Sequence, residues 1–123
     1  MGTRSRIGKL NDDGTITSIY CHWDGYPSWT GKILLEHWND HQRVDQLLSL
    51  GDLSGLCEAG TADAYRTRGE TGVDATTHTA DGWPDSGSEW RYLWIPSLGG
   101  WQVLEVGGPG QWRSLKGYPF DWE

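Results

Sequence analysis

Long apolar runs are absent from this 123-residue chain, and Phe and Met occur once each. Nothing approaches the ~20 apolar residues that span a bilayer, which excludes a hydrophobic membrane helix. Positive charge is scarce: 10 Lys and Arg stand against 17 Asp and Glu, for a net charge of −7. Such a balance disfavours general binding to nucleic-acid backbones, which needs a basic surface. It allows solubility or contact with a basic partner surface. The two cysteines, Cys21 and Cys57, are too few for a disulfide framework or a zinc knuckle. Both are expected to be reduced, small core residues. There is no Walker loop, no dinucleotide glycine fingerprint and no Gly-x-Ser-x-Gly elbow. No apolar segment follows Met1-Gly2-Thr3-Arg4-Ser5-Arg6, so this is not a secretory signal. Arg6 stands where a myristoylation motif wants Ser or Thr, and Gly2 is no N-terminal nucleophile. These absences point to a soluble intracellular protein without a cofactor.

What is abundant is tryptophan, with nine residues. Indoles are large, and each N–H needs a partner, so they favour half-buried positions and interfaces. Trp29, Trp83, Trp90, Trp94, Trp101, Trp112 and Trp122 either fill the core in place of Phe and Met or form an exposed binding surface. The composition leaves both open.

The length suits one domain spanning 1–123. Arg4 to Leu10 and Thr15 to Trp23 alternate as strands around the turn Asn11-Asp12-Asp13-Gly14. In the second strand, Thr17, Ile19, Cys21 and Trp23 make the more apolar face. Ile16, Ser18, Tyr20 and His22 then look outward. Gly25-Tyr26-Pro27 stops that strand. A helix is expected to Trp38, and a second from His41 to Leu50, capped by Asp40 and ended by Gly51. Cys57 to Ser88 is rich in Gly, Thr, Ala and Asp and reads as a long irregular loop. Trp90 to Ile95, Trp101 to Val106 and Gln111 to Leu115 read as a β-meander, followed by an aromatic tail from Gly117 that docks or lies free. The expectation is an α+β fold. Its five-stranded, mostly antiparallel sheet joins the N-terminal hairpin to the meander, with two helices on one face.

Four groups of residues invite a chemical reading. His22, His37 and His41, with Asp24, are metal-ligand types, though Asn39-Asp40 interrupts the spacing of His37 and His41 and the zincin Glu is missing. His22 and Asp24, on one side of an extended segment and assisted by Glu36 or Glu70, suit proton transfer. Arg66 and Arg68, with Arg4 and Arg6, suit a phosphate or carboxylate, with Trp23 or Tyr26 stacking on a base. The competing role for Arg66 and Arg68 is to pair with Asp63 and Glu70 and hold the loop. Last, exposed indoles beside an acidic surface suit a protein partner.

Thr3-Arg4-Ser5-Arg6-Ile7-Gly8, Tyr20-Cys21-His22-Trp23-Asp24-Gly25-Tyr26-Pro27, Gly31 to His37 and Gly51-Asp52-Leu53-Ser54 together resemble a family of small phage, prophage and mobile-element proteins. Tyr65-Arg66-x-Arg68-Gly69-Glu70 fits the same pattern, so the resemblance covers about residues 3–70. It implies a viral or mobile-element setting in the bacterial cytoplasm, and transfers no catalytic residue. The resulting expectation is an accessory protein that works by binding. Its target is a host protein or complex of a nucleic-acid-targeting defence, as in an anti-CRISPR-like inhibitor. Its surface would include Arg4, Trp23, Asp24, Tyr26, Trp29, Tyr65, Arg66, Arg68 and Glu70. The competing expectation is a small protein or hydrolase for a nucleotide-like ligand, using His22 and Asp24 with Arg66 and Arg68.

Overall fold

The computed structural model describes residues 3–118. Strands β1 (Ser5–Leu10) and β2 (Ile16–Cys21) pair antiparallel, with Ser5 opposite Cys21 and Leu10 opposite Ile16. Their turn is closed by Asn11 N–H donating to Thr15 O at 2.8 Å, with Gly14 at φ +86°. That sign of φ favours glycine. Asp13 accepts from Thr15 Oγ1 and Thr15 N, and these bonds hold its carboxyl below the usual range.

After β2, one wide helical turn (Pro27–Gly31) runs into α1 (Lys32–His37). Asp40 caps α2 (His41–Ser49) by accepting from Arg43 N at 2.8 Å. Ile33 and Leu34 of α1, and Val44, Leu47 and Leu48 of α2, bury against Ile7, Ile19, Cys21, Tyr92 and Trp94 of the sheet. Both helices therefore cover one face.

The remaining strands are β3 (Leu53–Leu56), β4 (Ala62–Ala64), β5 (Thr76–His78), β6 (Trp90–Ile95), β7 (Gly100–Glu105) and β8 (Arg113–Ser114). The order is β4-β3-β2-β1-β6-β7-β8, with β5 also on β2. The sheet thus has eight strands among the described residues, not five. It is mixed, because β1–β6 and β2–β3 run parallel. The fold is α+β, and the sheet is mostly antiparallel.

The extra strands come from residues 53–78, and they correct the expectation of a structureless 57–88 loop. The edge of β2 that faces away from β1 is shared: β3 meets it at Cys21 and β5 at Ile16–Ser18. Strands of three or four residues are too short to show a period, so a neighbouring edge decides them. Asp52 N donates to Val73 O at 2.7 Å, which ties the segment back to the end of α2. The last meander strand is shorter than expected, only Arg113–Ser114.

The indoles mostly fill the core. Trp38, Trp94 and Trp101 are buried, and Trp29 and Trp90 pack partly buried against them. The meander is therefore not an exposed aromatic surface, because Tyr92 and Trp94 alternate onto the helix-covered face. The opposite face is partly covered too: Ile16 and Ser18 of β2 and Leu93 of β6 are buried, while Tyr20 stays half-buried. Leu115 and Tyr118 join the core. Trp122, the rest of the tail and Met1-Gly2 lie outside the described residues.

Candidate functional site

The chain leaves β2 along β3: His22 N donates to Leu53 O at 3.1 Å and Trp23 N to Ser54 O at 2.8 Å. Asp24 then takes φ +55°, a left-handed conformation unusual for a residue with a side chain. Gly25 N donates to Thr3 O at 2.8 Å, and Gly25 O accepts from the buried Tyr92 hydroxyl at 2.6 Å. A Cβ at Gly25 would fall 2.9 Å from Thr3 O and 2.7 Å from Ser5 Cβ, so only glycine fits. Thr30 Oγ1 closes the corner by donating to Asp24 O at 2.7 Å. Trp23 is thus presented from a fixed backbone while its side chain stays 46% exposed.

Around Trp23 lies an aromatic bed. His22 meets its ring edge-on with centroids 4.7 Å apart, and His22 Nδ1 lies 2.7 Å from the Tyr20 hydroxyl. Burial pushes the Tyr20 phenol up; the Arg4 charge opposes this, and the Tyr65 hydroxyl adds to it. Burial also pushes Tyr65 up, opposed by a hydrogen bond with the Ser54 side chain and by Arg68. The Arg68 guanidinium sits 5.5 Å from the Tyr65 ring and pairs with Asp63 at 2.6 Å. The Trp23 junction and the Tyr65–Arg68 turn, more than 40 residues apart in sequence, therefore meet at the β2–β3 end of the sheet.

Other expected residues have structural partners. Arg66 donates to Ser49 O at 2.6 Å and pairs with Asp74, so it straps the loop to α2; Asp74, not Glu70, is its carboxylate. Glu70 is exposed, its N–H donating to Tyr65 O at 3.3 Å. Tyr26 donates to Asp24 Oδ1 at 3.3 Å. Trp29 Nε1 donates to Leu56 O at 3.0 Å, which fixes it against β3. The exposed Arg4 lies beside Gly87, where a Cβ would approach its guanidinium to 2.9 Å.

The His22–Asp24 pair is not assembled. His22 partners Tyr20 and Asp24 partners Tyr26, because the left-handed turn at Asp24 ends the extended segment that would align them. The three histidines are dispersed as well. His37 lies near Glu36 at 3.9 Å and beside Gly60, while His41 sits edge-on to Trp94 with centroids 5.6 Å apart. Among the described residues no group of three His, Cys, Asp or Glu is arranged to hold a metal ion. No helix among them is long and apolar enough to cross a membrane.

Cys21 is buried, and burial pushes its thiol up to about 12. The thiolate is the reactive form, so Cys21 is inert at neutral pH. Iodoacetamide is expected to modify Cys57, which is half-buried, long before Cys21, as read by peptide mass spectrometry. Since the thiol's ordinary value is 9.0, the folded state holds its proton longer than the unfolded chain does. This contribution to stability is complete below pH 9.0 and lost as pH rises toward 12.

Sequence reasoning passed over His78 and Arg91 and counted Trp83 and Trp112 only among the indoles at large; the four gather with Arg6 on the other face of the sheet. The alternation of Arg91 with Trp90 and Tyr92 was the available signal for its face. Its neighbours come from distant segments. No family model, curated protein or solved structure matches the chain.

Proposed function

We propose that this protein acts by binding a host protein, as a phage or mobile-element accessory factor that inhibits a nucleic-acid-targeting defence such as a CRISPR complex. One observation carries the binding reading: Trp23 is exposed on a backbone fixed from both sides, its ring held edge-on by His22, which is itself bonded to Tyr20. A rigid exposed aromatic loses little entropy on binding, and such residues dominate interface hot spots. The acid excess supports a basic partner surface, such as one built to hold nucleic acid. The phage setting rests on the motif resemblance of residues 3–70. The nucleotide-hydrolase reading has less support, because Arg66 and Arg68 already hold carboxylates and His22 lacks its acid.

The test is plaque formation on bacteria carrying an active CRISPR system matched to the phage, with and without the expressed chain. Plating is expected to recover with the wild-type protein, and Trp23→Ala to lose that protection. Unchanged plating across CRISPR types would reject the defence assignment. Equal protection by Trp23→Ala would reject the surface.

A further inference from the structure

On the sheet face opposite the helices, Arg6 stands directly across from Arg91 in the parallel β1–β6 register and across from Tyr20 on β2. Arg6 is 5% exposed; its Nε donates to Ser18 Oγ and its Nη2 to Ser18 O, both at 3.1 Å. Ser18 Oγ lies 2.8 Å from His78 Nε2. His78 packs on Trp83 with centroids 4.9 Å apart, Trp83 meets Trp112 at 6.1 Å, and the Arg91 guanidinium lies 5.3 Å from the Trp83 ring. Arg4, two residues before Arg6, reaches the Gly87 end of the same covering segment.

This arrangement is costly without a ligand. Like charges facing each other across strands repel, and a desolvated guanidinium needs an anion. Burial lowers Arg6 and Arg91 from the ordinary arginine value; at Arg6 Asp52 opposes this and the Arg91 charge adds to it. Among the described residues neither arginine forms an ion pair, in a chain with seven excess negative charges. The carboxylate that favours the Arg6 charge, Asp52, is itself held by Tyr20 N at 2.8 Å. The planar forks of two arginines match phosphate oxygens, and half-buried indoles beside them offer faces for a base.

We propose that this face, with Arg4 and Arg91 beside the Trp83–Trp112 pair and the buried Arg6 beneath them, binds a nucleoside phosphate: the phosphoryl group at Arg4 and Arg91, the base on the indoles, and the Arg6 charge in support. The site does not use Trp23 and does not depend on the defence reading, although Tyr20 lies across from Arg6 and feels the Arg4 charge. Its carboxylate-free arginines distinguish it from Arg66 and Arg68.

Calorimetric titration of the full chain with AMP, ribose 5-phosphate, adenosine and inorganic phosphate tests it. AMP is expected to bind with Kd below about 1 mM, and each fragment at least about tenfold more weakly. Arg91→Gln is expected to weaken AMP by about tenfold or more, the loss of a charge-assisted bond. Trp83→Leu should bring AMP down to the affinity of ribose 5-phosphate. Arg66→Gln, on the loop strap, should leave AMP affinity unchanged. Absence of AMP binding to the wild-type chain would overturn the proposal, a result that needs no variant to fold. Equal affinity for AMP and inorganic phosphate would overturn the nucleoside assignment, and equal AMP affinity in a folded Arg91→Gln would overturn the site. The plating result is independent of all these outcomes.

Discussion

Trp101→Ala is expected to destabilise the fold by about 3–5 kcal/mol, the range for removing a buried aromatic side chain. Trp101 is 2% exposed and packs edge-on to Trp94 with centroids 5.5 Å apart. Its Nε1 donates to Trp38 O at 2.9 Å, the carbonyl just past the end of α1. Truncation therefore opens a cavity between sheet and helix and also leaves a buried carbonyl without its donor, which adds to the cost. Domains have only about 5–15 kcal/mol in total, so the variant should be close to unfolded at 37 °C. Urea unfolding followed by tryptophan fluorescence measures it through the shift in midpoint. Trp23→Ala provides the contrast: an exposed position is expected to change stability by less than about 0.5 kcal/mol. If Trp23→Ala and Trp101→Ala cost the same, the division of indoles into core and surface is wrong.

Gly51→Ala is expected to cost about 2–3 kcal/mol from two sources. The left-handed backbone, φ +76°, disfavours any Cβ by roughly 1–2 kcal/mol. A Cβ there would also lie 2.3 Å from Val73 O, the acceptor for Asp52 N–H at 2.7 Å, so that hydrogen bond must open at about 1 kcal/mol. Gly51 sits where α2 ends, β3 begins and the Val73 segment crosses, so the damage should be local before it is global. Amide exchange is expected to accelerate first across residues 65–78, with the β1–β2 amides still protected. Uniform acceleration throughout would mean that the strap is not a separate unit. Arg66, anchored to Ser49 and Asp74, belongs to the same strap.

The elements legible in the sequence were those with local causes. The Asn11–Gly14 turn sets the β1–β2 hairpin. Asp40 and Gly51 bracket α2. The alternation of Trp90, Tyr92 and Trp94 marks β6 and its faces. What was not legible depends on distant partners. Leu53–Leu56, Ala62–Ala64 and Thr76–His78 carry no periodic pattern and become strands because neighbouring edges are on offer, β2 for the first and third and Leu53–Leu56 for the second. The parallel pairing of β1 with β6 joins segments more than 80 residues apart, and nothing local in Arg4 to Leu10 announces it. The buried second face followed from that: a strand judged alone looks half-wet until a covering segment arrives.

The site was legible in the same uneven way. Trp23, Tyr65 and Arg68 were selected from separate segments, and the structure brings them together because β3 carries Ser54 between them. His22 and Asp24 were coupled by strand alternation, which fails where Asp24 turns left-handed. Arg66 holds the loop, the role weighed against anion binding, but through Asp74 rather than Asp63 or Glu70, because Asp74 lies eight residues on and past Gly69 and Gly72. Arg6, His78, Trp83, Arg91 and Trp112 come from five separate segments, and only the closed sheet brings them together.

The most direct measurement is the affinity of the wild-type protein and Trp23→Ala for the defence complex that the plating test identifies, with thermal melts of both. The account predicts that Trp23→Ala binds about 30-fold more weakly, as a hot-spot truncation of about 2 kcal/mol would, while melting within a degree or two of wild type, as an exposed position implies. Wild-type affinity in a folded Trp23→Ala would contradict it.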